Sequence, residues 1–372
     1  MLLRAEPRGH PGASLIRFVS NSARTRDQSH GRSWWTHTRS SPRHKARGNV
    51  MSASQASSTA ATAATAARAT GPPVVALPRF DQPAAGRMTR DNRAFEEDHR
   101  IRGYEVGPDR KTTMITIANL LQEAASNHVV CMWGRSDEGF ATDPEMAKEN
   151  LIFVMTRMQV QMDSYPKWGD LVRFETWFAM SGRMRATREW IITDCESGKQ
   201  IGRATSTWVT INMKTRRLVK VPDHIQDRLA TYQYADEPDA RAFDGERMQL
   251  KLPDLTSDEE VEVLVPQIAR SSDMDMNGHI NNVTYINWIL ETIPEESASP
   301  SRQLYQIEID YKNECTSGDL VHPQAEACEV PGVFVERGCR VDGGGCKAYL
   351  HSLSRSDDGT SKELVRARTL WV

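Results

Sequence analysis

Gly169-Asp170-Leu171-Val172 returns, residue for residue, as Gly318-Asp319-Leu320-Val321. A second echo follows in the same order. Arg203-Ala204-Thr205-Ser206-Thr207-Trp208-Val209 is matched by Arg366-Ala367-Arg368-Thr369-Leu370-Trp371-Val372. Two ordered echoes indicate an internal duplication.

The segments around the first copy define the repeated unit. Met114, Ile117, Leu121, Ala124, Ala125, His128 and Met132 recur at helical spacing, which predicts one amphipathic helix over about Thr113–Trp133. Leu151–Asp163 alternates as a strand, with Ile152, Val154, Met158, Val160 and Met162 on one side and Arg157, Gln159, Gln161 and Asp163 on the other. Strands are expected at Leu171–Met180, Thr187–Thr193 and Gln200–Met213, separated by turns at 166–170, 181–182 and 194–198. The second copy repeats the order, with a helix over Asn281–Ile293 and a strand over Leu304–Cys315.

A helix followed by an antiparallel meander suits a curved sheet that wraps the helix. The expected class is therefore α+β, a tandem double hotdog with two long helices each wrapped by a curved antiparallel sheet. The first hotdog is expected over 95–235 and the second over 261–372. The intervening 236–260, with its polar, Pro-containing flank from Tyr232 to Asp258, reads as a linker.

Residues 1–85 are different. Residues 1–80 hold twelve Lys and Arg against two acids, Glu6 and Asp27, and Ser52–Thr70 is nearly all Ala, Ser and Thr. Such a segment stays unfolded and cationic, as an organelle transit peptide must. A disordered basic tail is the simpler alternative. Met51 offers a second possible start. The remaining chain holds 35 basic and 47 acidic residues, a net charge of −12. That argues against a nucleic-acid binder, which needs a broad positive footprint. No apolar run is long enough to span a membrane as a helix. The six cysteines (Cys131, Cys195, Cys315, Cys328, Cys339 and Cys346) show no CxxC spacing. Neither a zinc site nor a disulfide framework is expected, and free thiols are the default.

The chemistry concentrates in the second copy. Asp275, Asn277 and His279 alternate through a turn marked by Asn277-Gly278, and Asn281 and Asn282 can cap the following helix. Capping alone explains the acid and the amides, but it does not require His279. An imidazole beside a carboxylate is equipped for proton transfer near neutral pH. Helix-end N–H groups can stabilise an oxyanion. Glu314 and Cys315 end the strand after the helix. Strand parity turns Cys315 toward the apolar interior and Glu314 away from it, unless a bulge intervenes. Asn127-His128 resembles a faded copy of the site, though His128 lies on the apolar stripe and packing is the simpler role. Gly343-Gly344-Gly345 lacks the spacing of a phosphate loop and reads as a turn. Lys214, Arg216, Arg217 and Lys220 break the acidic background. They form either a solvated face or a dock for an acidic partner.

Asp273-Met274-Asp275-Met276-Asn277-Gly278-His279-Ile280-Asn281-Asn282-Val283-Thr284-Tyr285-Ile286 and Asp310-Tyr311-Lys312-Asn313-Glu314-Cys315 resemble the plant and algal acyl-acyl-carrier-protein (acyl-ACP) thioesterases. Ile117–Glu123, Thr156–Val160, Tyr165–Asp170 and Asn212–Leu218 fit too, so the resemblance covers about residues 98–372. It implies a tandem hotdog, a plastid-stroma location, no cofactor and no metal. The implied reaction is hydrolysis of a fatty acyl thioester on ACP, with Asp275, Asn277, His279, Glu314 and Cys315 as catalytic residues. The acyl-chain pocket is expected mainly in the first hotdog. The chain departs from the family at Gly278, usually Gln, and at Lys312-Asn313, usually two Arg. Two mechanisms stay open: attack by Cys315, or attack by water activated by Asp275, Glu314 and His279. A non-catalytic acyl-ACP binder and a hydroxyacyl-ACP dehydratase are the other functional readings.

Overall fold

In a computed structural model, residues 86–134, 143–235, 239–243, 251–255, 262–293, 302–332, 345–357 and 360–372 are described. All lie in one unit, 76–372. The expected transit segment (1–85), its alternative start and Gly343-Gly344 lie outside these residues.

A short hairpin, β1 (Gly86–Thr89) and β2 (Ala94–Arg100), opens the described chain. Helix α1 (Met114–Trp133) starts where Thr113 accepts the N–H of Thr116, and Gly134 at φ 81° stops it. A one-turn helix α2 (Pro144–Lys148) follows, then the meander β3 (Leu151–Met162), β4 (Leu171–Ser181), β5 (Arg185–Asp194), β6 (Gln200–Asn212) and the short β7 (Arg217–Leu218). After α3 (Asp223–Ala230) and two short strands, β8 (Glu262–Val263) and β9 (Gln267–Ile268), comes α4 (Asn282–Leu290). The second meander is β10 (Leu304–Tyr311), β11 (Leu320–Cys328), β12 (Lys347–Asp357) and β13 (Thr360–Trp371).

The two meanders fuse into one antiparallel sheet in the order β1-β2-β4-β5-β6-β3-β10-β13-β12-β11-β8, with β7 on β6 and β9 on β11. The seam is β3 against β10, paired from Gln161–Gln306 to Arg157–Asp310. Ile117, Leu121 and Ala124 of α1 share one core with Val283, Ile286 and Ile289 of α4 and with strands of both halves. The expected tandem hotdog is therefore present, with one difference in proportion. Helix α4 has nine residues to the twenty of α1. Among the described residues no helix is long and apolar enough to cross a membrane.

Two sequence expectations, the parity of β3 and the free state of every thiol, are corrected. The parity of β3 is not uniform. A register shift between Met155 and Arg157 inserts Thr156 as an extra residue. Leu151, Phe153 and Met155 face the cores before it, and Met158, Val160 and Met162 after it, so Ile152 and Val154 do not share a face with Met158. The opposite face is not solvent either, since Gln159 and Gln161 are each 1% exposed. The described residues of the expected linker, 239–243 and 251–255, make contacts with the sheet. Trp177 Nε1 donates to Ala240 O at 2.8 Å, Ala242 N to Glu189 Oε2 at 3.2 Å, and Arg366 Nη1 to Pro253 O at 3.0 Å. Phe243 and Leu252 are buried. These described residues thus lie against sheet strands of both halves and satisfy buried polar groups there. Finally, Cys131, Cys195, Cys315 and Cys328 are free thiols, but Cys346 is disulfide-bonded.

Candidate active site

The stretch 274–280 is a tight hairpin closed by a Met274–Ile280 bridge. Asp275 N donates to His279 O at 2.7 Å, and Gly278 N to Asp275 O at 3.0 Å. The Asp275 carboxylate holds the loop from inside: Oδ1 accepts the N–H of Asn277 at 2.9 Å and of His279 at 3.1 Å. Gly278 sits at φ 77°, in the left-handed region where glycine alone avoids a Cβ penalty of about 1 kcal/mol. Asn281 caps α4 by accepting the N–H of Val283.

Glu314 and Cys315 are not on the strand. Lys312 N and Asn313 N both turn to Leu364 O, at 2.8 and 3.1 Å, so β10 stops at Tyr311. Parity therefore has no purchase on them, although the orientation it suggested is the one observed. Cys315 is 2% exposed. The Glu314 side chain is half exposed and lies with Oε2 3.9 Å from His279 Nε2, itself half exposed. The other Glu314 oxygen is ion-paired to Arg216, from the turn between β6 and β7.

Cys315 Sγ lies 3.4 Å from the hydroxyl of Tyr285, which also accepts the Cys315 N–H at 3.2 Å. Burial pushes the Cys315 thiol above its ordinary range. Burial likewise raises Tyr285, helped by the adjoining sulfur. A buried, raised thiol forms its thiolate less readily than an exposed one. The structure thus brings together His279, Glu314 and the Asp275 hairpin that carries His279 and Asn277. It sets Cys315 into the core beside them. Among the described residues no hydrogen bond joins His279 to Cys315, and no three His, Cys, Asp or Glu side chains are grouped to hold a metal ion.

Sequence reasoning missed Tyr285 and the Arg216–Glu314 pair. A tyrosine on an otherwise apolar helix stripe was the available signal for the first, because a buried hydroxyl needs a partner. Packing, the simpler role expected for His128, is the one observed, and the faded copy lies elsewhere. His128 lies in α1, fully buried, with Nδ1 3.1 Å from Arg188 Nη1 and its ring stacked on Phe95. Burial holds it well below the ordinary histidine range. The true counterpart of the 274–280 hairpin is 106–112. Val106 bridges Thr112, Gly107 N donates to Lys111 O at 2.8 Å, Arg110 N to Gly107 O at 2.9 Å, and Arg110 takes the positive φ, 64°. Thr113 then caps α1 as Asn281 caps α4. The partner turn repeats as well: Lys167 N donates to Asp170 Oδ2 at 2.7 Å, and Thr316 N to Asp319 Oδ2 at 2.8 Å. Gly107, Asp109, Lys111, Tyr165 and Pro166 therefore stand where Asp275, Asn277, His279, Glu314 and Cys315 stand in the second half.

The family models for the acyl-ACP thioesterase N-terminal and C-terminal domains match residues 92–229 and 257–371. The chain is 38% identical to oleoyl-acyl carrier protein thioesterase 1, chloroplastic, of Arabidopsis thaliana, over 78% of this chain and 79% of that one. It is also 38% identical to the chloroplastic palmitoyl-acyl carrier protein thioesterase of Cuphea hookeriana, over 77% of this chain and 64% of that one. Among solved structures, the 12:0-ACP thioesterase from Umbellularia californica superposes with a TM-score of 0.64 at 30% identity, covering 76% of this chain and 95% of that one.

Proposed function

The chain belongs to the acyl-ACP thioesterase family, and from that premise we propose that it hydrolyses fatty acyl-ACP with water as the nucleophile, working through His279 and Glu314. The single observation that carries the assignment is the 3.9 Å approach of His279 Nε2 to Glu314 Oε2 at a half-exposed position, beside a Cys315 thiol that is buried against Tyr285.

The water oxygen attacks the thioester carbonyl while the Glu314–His279 pair takes its proton. The tetrahedral intermediate then collapses with cleavage of the C–S bond. The imidazole returns a proton to the leaving carrier thiol, and a fatty acid and free ACP result. Asp275 acts by shape, because one of its oxygens is already used on two backbone N–H groups of the hairpin. Asn277, on the same hairpin, is assigned the role of orienting the thioester or stabilising its oxyanion. Cys315 is assigned a packing role. A thioester is reactive enough for direct attack by water, so no acyl-enzyme is needed.

Lys214, Arg216, Arg217 and Lys220 are all exposed and surround the turn that reaches Glu314. A carrier rich in carboxylates would dock there by complementarity, close to the reacting bond. The chloroplastic relatives and the cationic head together support a plastid location, with the stroma as the compartment where soluble acyl-ACP is met.

The test is release of free fatty acid from an acyl-ACP panel, varied in chain length and unsaturation, by the full chain and by Cys315→Ala. Turnover by Cys315→Ala within about threefold of the parent supports water attack, whereas a loss of about 10³-fold would restore the cysteine nucleophile. Binding of acyl-ACP without acid release would make the protein a binder. An unsaturated acyl-ACP formed from hydroxyacyl-ACP, with no free acid, would make it a dehydratase.

A further inference from the structure

Arg216 reaches the candidate base from the other half of the protein. It sits in the turn between β6 and β7, 98 residues away from Glu314 in sequence. The turn is braced so that the side chain is presented outward. Asn212 Oδ1 accepts the N–H groups of Lys214 and Thr215, both at 3.0 Å, and Asn212 O accepts that of Arg216 at 2.8 Å. Arg216 itself takes φ 56°. The guanidinium and the Glu314 carboxylate are each about half exposed, at 51% and 50%.

Two consequences follow from elementary electrostatics. The Arg216 guanidinium holds one Glu314 oxygen by charge and hydrogen bond, so the carboxylate is less free to turn toward a water beside His279. An exposed pair of this kind contributes little to stability, so another anion displaces it readily. Arg216 also belongs to the exposed basic group formed with Lys214, Arg217 and Lys220. Among the described residues it is the member of that group holding a carboxylate. The same cation therefore faces both the candidate base and the surface assigned to the acidic carrier.

We propose that Arg216 is a carrier-sensing gate on Glu314. In the free protein it occupies the carboxylate. When acyl-ACP docks, its acidic surface draws Arg216 away, and Glu314 is released toward the water and His279. The carboxylate is then freed when a thioester on its carrier has arrived. The inference rests on the reading of His279 and Glu314 as the hydrolytic pair.

The experiment compares two thioesters of one acyl chain, acyl-ACP and the uncharged acyl-N-acetylcysteamine, on the full chain and on Arg216→Gln. The gate predicts opposite effects. Arg216→Gln turns over the uncharged thioester at least about threefold faster, because the base is freed, and shows a raised KM for acyl-ACP. In the parent protein, added salt should also speed the uncharged thioester, since an exposed ion pair loosens as the Debye length shortens. This arm does not depend on the variant folding. Unchanged or slower turnover of the uncharged thioester by Arg216→Gln, or no acceleration by salt in the parent, overturns the gate. If the parent releases no acid from acyl-ACP, the hydrolase reading falls and the gate with it. If the parent does release acid and only the uncharged arms fail, the gate alone falls.

Discussion

The hairpins at 106–112 and 274–280 share a backbone and differ in almost every side chain. Both close a five-residue loop with the same pair of N–H to C=O bonds, both place a left-handed residue fourth in that loop, and both feed a capped helix. Only the second carries an acid, an amide and an imidazole at alternate positions. The comparison separates two jobs that coincide at Asp275. In the first half Gly107 shows that the loop forms without a carboxylate at that position. In the second, Asp275 adds two internal hydrogen bonds and a charge beside His279. The scaffold is present twice, and the acid, amide and imidazole stand in one copy. A second contrast concerns histidines. His128 and His351 are fully buried and hydrogen-bonded in the core, whereas His279 is half exposed beside a carboxylate.

The largest expected effect comes from emptying the second hairpin. His279→Ala and Glu314→Gln should each lower kcat on acyl-ACP by about 10³-fold while the melting temperature stays within a few degrees. The matching change in the first half, Lys111→Ala, should leave kcat within about twofold. A large loss there would show that both hairpins take part in the reaction and would break the contrast.

The buried histidines are expected to make stability depend on pH. Burial holds His351 down to about 3, and His128 also lies well below its ordinary range. In the unfolded chain both titrate near about 6.5. Below that pH the unfolded state binds protons that the folded state refuses, so stability is full above about 6.5 and is lost as pH falls. Each contributes up to about 1.4 kcal/mol per pH unit in that window. Urea unfolding at pH 7 and pH 5 measures this. His351→Gln can still bond Thr292 and Thr369 and should show a smaller drop. An equal drop in parent and variant would mean that His351 is not held neutral.

Asp275 offers the finest division. Asp275→Asn keeps an oxygen to accept the two backbone N–H groups and should melt like the parent. Asp275→Ala should lose about 1 kcal/mol of stability, the usual worth of a local cap. If shape is the main role of Asp275, the Asn variant retains turnover within about tenfold and the Ala variant falls further. Equal, severe loss in both would assign its charge to the chemistry instead.

Much of this was legible in the chain because it rests on local rules. The repeated Gly-Asp-Leu-Val turn marks the start of a strand in both halves, with Gly169 and Gly318 both in the left-handed region, at φ 91° and 96°. The 3.6-residue period of 114–133 fixed α1, and Asn277-Gly278 marked the turn that presents His279. The extra residue at Thr156 was not legible, because a bulge depends on which partner strand the ladder meets. The equivalence of the two hairpins was not legible either, since backbone hydrogen bonds leave little imprint on side chains.

The sequence by itself determined a duplicated helix-and-meander unit and the second copy as the one bearing the acid, amide and imidazole. Those features are periodicities and short motifs, which neighbouring residues impose on one another. Only the tertiary structure decided that Cys315 is sealed against Tyr285, that residues 239–243 and 251–255 lie against the sheet, and that Arg216 reaches Glu314 from the other half. Each of these is a contact between residues far apart in the chain. Such contacts are fixed by the pairing of β3 with β10 and the packing of α1 with α4 in one core, and no local pattern records them.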